Sequence, residues 1–359
     1  MEYNRKLILE DGTQYLGFGF GAEKERVCEV VFNTSMTGYQ EILSDPSYTD
    51  QAVVMSYPLI GNYGICDEDY ESKIVAPAGF IVRDLNEEPS NFRSTRTVSE
   101  LLADSDVPGI WGIDTRMLVR KLRDKGLMRG LITGVDTDLA AGLSKINETE
   151  IAHDAVKRVS CTKRWYSRTS NPRYHVVAID CGMKQNIIRM LNKNKCNVTI
   201  VPYDTGAEEI MALHPDGIFV SNGPGDPADV LQVIETLKQL GGKVPLFGIC
   251  LGHQLIAISR GAKTYKLKFG HRGGNHPVQD LLTGKIEITS QNHSYAVDEA
   301  SLEGTGLYVS HINLLDRTVE GLYSKEEKIF SVQYHPESAP GPVDSTYLFE
   351  HFTDLMKRG

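Results

Sequence analysis

Two rhythms of apolar and polar residues divide the chain. Through residue 151 the apolar runs are short and interrupted by turns. Residues 27–32 alternate loosely and lead into the polar loop 33–38, and residues 51–55 and 74–76 predict further strands. Short β-branched runs bounded by turn residues suit a pleated, half-buried surface. Residues 114–122 space their apolar side chains as a helix does, with Asp114 placed to cap it. This half predicts an α+β domain over 1–151.

From residue 175 the pattern changes. Residues 175–180, 197–202, 217–221 and 244–249 are short, almost wholly apolar runs, and helical patterns at 186–191 and 228–240 fall between them. Strands apolar on both faces, alternating with helices, predict a mostly parallel sheet covered on both sides. The expected architecture is therefore α/β over 175–359. Residues 152–174 are basic and polar, with Lys157, Arg158, Lys163, Arg164, Arg168 and Arg173, and run into Ser170-Asn171-Pro172. That composition predicts a linker.

Composition narrows the functional classes. The 359 residues are 41% hydrophobic and 24% charged, in keeping with a globular protein of two domains. Lys and Arg number 38 against 47 Asp and Glu, a formal charge of -9, which argues against a nucleic-acid or anionic-membrane surface. Glu10-Asp11-Gly12 ends the first apolar run, so no signal peptide is expected, and the longest uncharged stretches contain Gly, Pro, His or Gln, so no membrane span is expected. The six cysteines form no CxxC pair and no zinc-like cluster with histidine. No metal site and no disulfide framework is expected, and scattered cysteines suit a cytoplasmic location.

Function in parallel α/β sheets collects at the carboxyl ends of the strands, and three loops there carry candidate chemistry. Gly248-Ile249-Cys250-Leu251-Gly252 joins an apolar strand to a helix that Gly261 closes, which is the thiol form of the nucleophile elbow. The helix N-terminus favours a thiolate. The strand at 329–335 delivers His335, with Glu337 two residues on: a base for the thiol and a carboxylate to orient that base. In the third loop, 221–227, Asp226 and Pro227 open a helix, and Gly223 is placed to pair its N–H with that of Leu251 as an oxyanion hole. Two Gly-x-Gly-x-x-Ala matches, at Gly223 and at Gly17, are rejected as dinucleotide sites. Pro224 and Pro227 lack donors in the first, and strand-like residues follow the second. No phosphate-binding Gly-x4-Gly-Lys-Ser/Thr loop occurs, so ATP is not expected on this chain.

The elbow together with His335-Pro336-Glu337 resembles the class I (triad) glutamine amidotransferases. The N-terminal motifs 36–48, 58–64 and 112–116, with 269–277 and the tail 338–342, are similar to the small subunit of carbamoyl-phosphate synthase. The resemblance implies glutamine hydrolysis by Cys250, His335 and Glu337, and L-glutamine contacts from Ser47, Gly223, Gly225, Leu251, Gln254, Asn292, Ser294 and Tyr295. It implies a large-subunit partner that binds ATP and its metal ions, in a heterodimer or an oligomer of heterodimers, with no cofactor in this chain. Ser294 stands where relatives usually carry Gly, and a small strain is expected if the position needs a positive φ. Cys181 replaces a more usual aromatic. The amidotransferase subunit of another synthase and a stand-alone thiol hydrolase are the alternatives, and whether the product feeds arginine or pyrimidine synthesis stays open.

Overall fold

A computed structural model describes residues 2–357 and separates into two compact units, Met1–Ala152 and His153–Gly359. The first unit contains β1 (Arg5–Leu9), β2 (Gln14–Gly21), β3 (Arg26–Asn33), β4 (Gln51–Met55), β5 (Leu59–Ile60), β6 (Gly79–Ile81), β7 (Asp84–Leu85), β8 (Pro108–Trp111) and β9 (Met128–Gly134). Its helices are α1 (Tyr39–Leu43), α2 (Val98–Asp104), α3 (Thr115–Lys125) and α4 (Leu139–Glu148). Seven strands close into a barrel in the order β1-β2-β8-β6-β4-β3-β9, while β5 and β7 pair separately. Closure leaves the barrel no free edge to protect.

The expected strand at 51–55 is β4, and Asp114 caps α3 by accepting the Met117 N–H at 2.9 Å. The strand expected at 74–76 does not form. Ile74 is 42% exposed, and the neighbouring strand is instead β6, whose Phe80 and Ile81 are fully buried. Burial against neighbours outweighed the β-propensity of Ile-Val-Ala. Gly17 lies within β2, where a Cβ would meet Trp111 O at 2.5 Å, so the close passage of strands accounts for the glycine.

The second unit runs α5 (Ala155–Val159), β10 (Trp165–Ser167), β11 (Tyr174–Asp180), α6 (Gln185–Lys193), β12 (Cys196–Pro202), α7 (Ala207–Met211), β13 (Gly217–Val220), α8 (Leu231–Leu240), β14 (Leu246–Ile249) and α9 (Leu251–Ser259). It continues through β15 (Thr264–Asp280), β16 (Ile286–Val297), β17 (Tyr308–Asn313), β18 (Val319–Ser324), β19 (Ile329–Val332) and α10 (Leu348–Lys357). Residues 152–174, expected as a linker, thus hold a helix and a strand: β10 pairs antiparallel with β12 at one edge of the sheet. An exposed edge strand tolerates the polar, basic composition that suggested a linker.

The sheet has ten strands in the order β10-β12-β11-β13-β14-β19-β18-β17-β15-β16. From β12 to β19 the pairings are parallel, and antiparallel strands flank this centre on both sides. Alternation along β11 divides the core. Val177 and Ile179 pack with Ile210, Val233 and Leu255 on one face, and Val176 and Ala178 with Ile187, Leu191 and Phe352 on the other. The central strands share a direction, so the loops after β11, β13, β14 and β19 open on one edge of the sheet. No helix among the described residues is long and apolar enough to cross a membrane.

Candidate active site

β14 ends at Ile249 and α9 begins at Leu251, so the whole turn falls on Cys250, at φ 54° and ψ -106°. A non-glycine residue held at positive φ stores strain of order 1–3 kcal/mol, and such strain clusters at functional sites. The flanking glycines make the turn possible by close approach. A Cβ on Gly248 would meet Ile256 Cδ1 at 2.5 Å and Gly252 O at 2.8 Å, and one on Gly252 would run into Val220 O. The Cys250 N–H bonds Val332 O at 2.9 Å, which ties the elbow to the end of β19, and Sγ lies 3.6 Å from Asn292 O.

Three residues past β19, the His335 N–H bonds Ser290 O at 2.8 Å and fixes the backbone. Its Nδ1 donates to Glu337 Oε1 at 2.6 Å, so the carboxylate sets the tautomer and leaves Nε2 as the basic atom. Nε2 is buried and makes no hydrogen bond of ordinary geometry. Burial pushes the His335 imidazole down, but the charges of Glu337 and Cys250 outweigh it and hold the imidazole well above its ordinary value. His253 also stands close to the nucleophile in sequence, yet its Nδ1 pairs with Ser331 Oγ at 2.9 Å. Burial, with help from His311, pushes His253 down to about 3. It is a neutral core histidine.

Sequence reading missed Lys184. It is buried, and its Nζ reaches Glu337 Oε1 at 2.9 Å and also donates to Ser338 O. Burial pushes the Glu337 carboxyl up, but Lys184 and His335 hold it well below the usual carboxylate range. The loop that delivers Lys184 is built by Asp180 at the end of β11, whose Oδ1 accepts the N–H groups of Gly182 and Met183 at 2.9 Å each. The Lys184 N–H bonds Asn222 Oδ1 at 3.2 Å and joins this loop to the one carrying Gly223. The available signal was a lysine just past the carboxyl end of a parallel strand.

The structure brings most of the expected glutamine contacts together around Cys250. A Cβ on Gly223 would collide with Cys181 O and lie 2.8 Å from Leu251 Cδ2, so the two residues expected to form an oxyanion hole pack directly. Leu251 is the first residue of α9, where backbone N–H groups have no acceptor within the helix. Gly225, at φ 89°, turns the same loop. Gln254 Nε2 donates to Tyr295 O at 2.8 Å and to Gln333 Oε1 at 2.9 Å, fastening α9 to β16. Ser294 is absent from the residues with positive φ, so the strain considered for it does not arise. Ser47 belongs to the first unit, in a single 3-10 turn over Pro46–Tyr48 with its N–H on Asp45 Oδ1 at 2.9 Å.

Among the described residues, His271, His293 and Glu320 converge closely enough to suggest a metal centre. His271 Nε2, however, pairs with Asp316 Oδ2 at 2.8 Å, and Nδ1 faces Glu320 Oε1 at 3.4 Å. Burial pushes this imidazole down, but the two carboxylates hold it up at about 9. Set between Asp316 and Glu320, the buried His271 belongs to an ion-pair network.

A cysteine on a strand-to-helix elbow, faced by a carboxylate-bound histidine from the adjacent parallel strand, is the arrangement of a triad amidotransferase. In agreement, residues 177–355 match the family model Glutamine amidotransferase class-I. A solved glutamine amidotransferase from Thermotoga maritima is 15% identical, covers 52% of this chain and 84% of its own, and has a TM-score of 0.38. Residues 7–132 match the model Carbamoyl-phosphate synthase small chain, CPSase domain. The carbamoyl phosphate synthase small chain of Fusobacterium nucleatum is 52% identical over 354 residues, 98% of this chain and 97% of its own. That of Staphylococcus saprophyticus is 51% identical over 352 residues, 98% and 96% of the two chains. The chain belongs to the carbamoyl phosphate synthase small-chain family.

Proposed function

We propose that this chain is the glutamine-hydrolysing subunit of a carbamoyl-phosphate synthase, with Cys250 as nucleophile, His335 as general base and acid, and Glu337 as its orienting carboxylate. His335 Nε2 takes the thiol proton and Sγ attacks the side-chain amide carbon of L-glutamine. The N–H groups of Gly223 and Leu251 hold the oxyanion. As the C–N bond breaks, His335 returns the proton to nitrogen and ammonia leaves a γ-glutamyl thioester on Cys250. Water, deprotonated by His335, then splits the thioester to glutamate and free thiol. Gly225, Gln254, Asn292, Ser294 and Tyr295 hold the substrate. The observation that carries this reading is the His335–Glu337 bond at 2.6 Å, which commits Nδ1 and leaves Nε2 for the thiol.

The ammonia passes to a large subunit that binds ATP and its metal ions and makes carbamoyl phosphate from bicarbonate, ammonia and ATP. The division of labour is supported by the absence of a phosphate-binding loop in this sequence. A cytoplasmic location accords with six cysteines that are all free.

An electrophilic glutamine analogue tests the nucleophile. Burial pushes the thiols of Cys28, Cys161 and Cys196 up to about 12, that of Cys181 well upward and that of Cys66 up, which leaves them poor nucleophiles near neutral pH. The analogue's mass should therefore appear on the peptide containing Cys250 alone, and labelling elsewhere would refute the assignment. Co-purification of an ATP-binding chain tests the partnership.

A further inference from the structure

The β15–β16 ladder changes register beside the nucleophile. Lys266 pairs with Tyr295 and His271 with His293, so residues 267–270 lie opposite Ser294 alone. A bulge of this kind interrupts the ladder and bends the strand. It falls where β16 passes the candidate site: Asn292 O is 3.6 Å from Cys250 Sγ, and Tyr295 O receives Gln254 Nε2 at 2.8 Å. Ser294 itself has no register partner in the ladder, although His293 and Tyr295 on either side do.

A buried guanidinium spans the gap. Arg272 Nη1 donates to Phe269 O at 2.9 Å, on the bulged strand, and Nη2 donates to Ser294 Oγ on the other. Gly270, at φ 69°, makes the room: a Cβ there would sit 2.5 Å from Arg272 Nη1 and would run into His293 O. The serine hydroxyl completes the brace by offering the guanidinium a side-chain acceptor.

We infer that Arg272 is a positioning residue for the substrate, bracing Ser294 across the bulge so that residues 292–295 keep the conformation that receives glutamine. The inference rests on the glutamine-hydrolase reading above. Cys250 and His335 are anchored separately, to Val332 O and to Ser290 O, so the brace acts on substrate binding more than on the chemical step.

The test is steady-state glutamine hydrolysis by the assembled synthase carrying Arg272→Met, Arg272→Lys, Ser294→Ala, or Arg272→Met with Ser294→Ala. A hydrogen bond to a charged group is worth enough to shift binding on the order of tenfold. Arg272→Met should raise the glutamine KM by about that factor, with a smaller fall in kcat, and Ser294→Ala should move KM the same way. Arg272→Lys, which keeps the charge and can reach one acceptor, should fall between Arg272→Met and wild type. The two substitutions remove the same bond, so the double variant should be no worse than Arg272→Met alone. Ser294 is itself read as a substrate contact, so its effect counts for the brace only if an Arg272 substitution adds nothing to it. Arg272→Lys with Ser294→Ala supplies that comparison if Arg272→Met fails to fold. A glutamine KM within twofold of wild type in Ser294→Ala, or effects that multiply in the double variant, would overturn the inference. Wild-type synthase that hydrolyses no glutamine would overturn the functional reading itself and this inference with it.

Discussion

Lys184 and Glu337 form an ion pair at 2.9 Å inside the second unit, and the carboxylate oxygen that accepts from Lys184 also accepts from His335. Both charged groups are almost completely removed from water, which is costly and seldom retained for stability alone. At the edge of a parallel sheet, next to a strained cysteine, such a pair keeps a carboxylate ionised where burial alone would protonate it.

Removing that cation should therefore appear in the pH profile. Without Lys184, burial acts on Glu337 with only His335 opposing it, so the carboxyl takes up a proton at higher pH. Lys184→Met should lower kcat for glutamine hydrolysis and move the acidic limb of its pH profile upward. An unchanged acidic limb would show that Lys184 does not govern the ionisation of Glu337.

Gly252→Ala reverses the ordinary preference. Alanine in a helix normally favours the fold over glycine by about 1 kcal/mol. Here the new Cβ runs into Val220 O, a backbone atom that cannot move aside without shifting β13. Overpacking of this kind costs about 1–3 kcal/mol, so the variant should unfold at lower temperature and lose glutamine hydrolysis. A calorimetric midpoint at or above wild type would show that the elbow does not need the close approach.

The His271 cluster predicts a pH-dependent contribution to stability. An imidazole held above its unfolded value stabilises the fold fully below about pH 6.5 and loses that contribution as pH rises through about 9. His271→Gln should lower the urea midpoint relative to wild type at pH 6, and the difference should shrink by pH 10. His335 titrates in the same direction in both proteins and so cancels from the comparison. A difference independent of pH would contradict the ion-pair reading.

What could be read in advance was what is local in the chain. The elbow at Cys250 lies within five consecutive residues, and the pair His335 and Glu337 within three, so spacing alone revealed them. Lys184 stands 153 positions from Glu337, in a loop where a lysine looks like any solvated surface charge, and only the fold brings the two together. Residues 269–277 read as a family motif, but the guanidinium bridge from Arg272 to Ser294 depends on a register change that no residue spacing announces. Residues 165–167 read as part of a linker because an edge strand needs no apolar face, whereas 74–76 reads as a strand but pairs with none and leaves Ile74 exposed. The closed barrel of the first unit was equally hidden, since closure depends on pairings such as β1 with β9, far apart in sequence.

The central claim is that Cys250 releases ammonia from glutamine for a reaction completed on another chain. Cys250→Ser, assembled with the large subunit and supplied in parallel with glutamine or with ammonium salt, tests it most directly. Carbamoyl phosphate formation from glutamine should vanish while formation from ammonia persists at the wild-type rate. Persistence of the glutamine reaction, or loss of both together, would contradict the account.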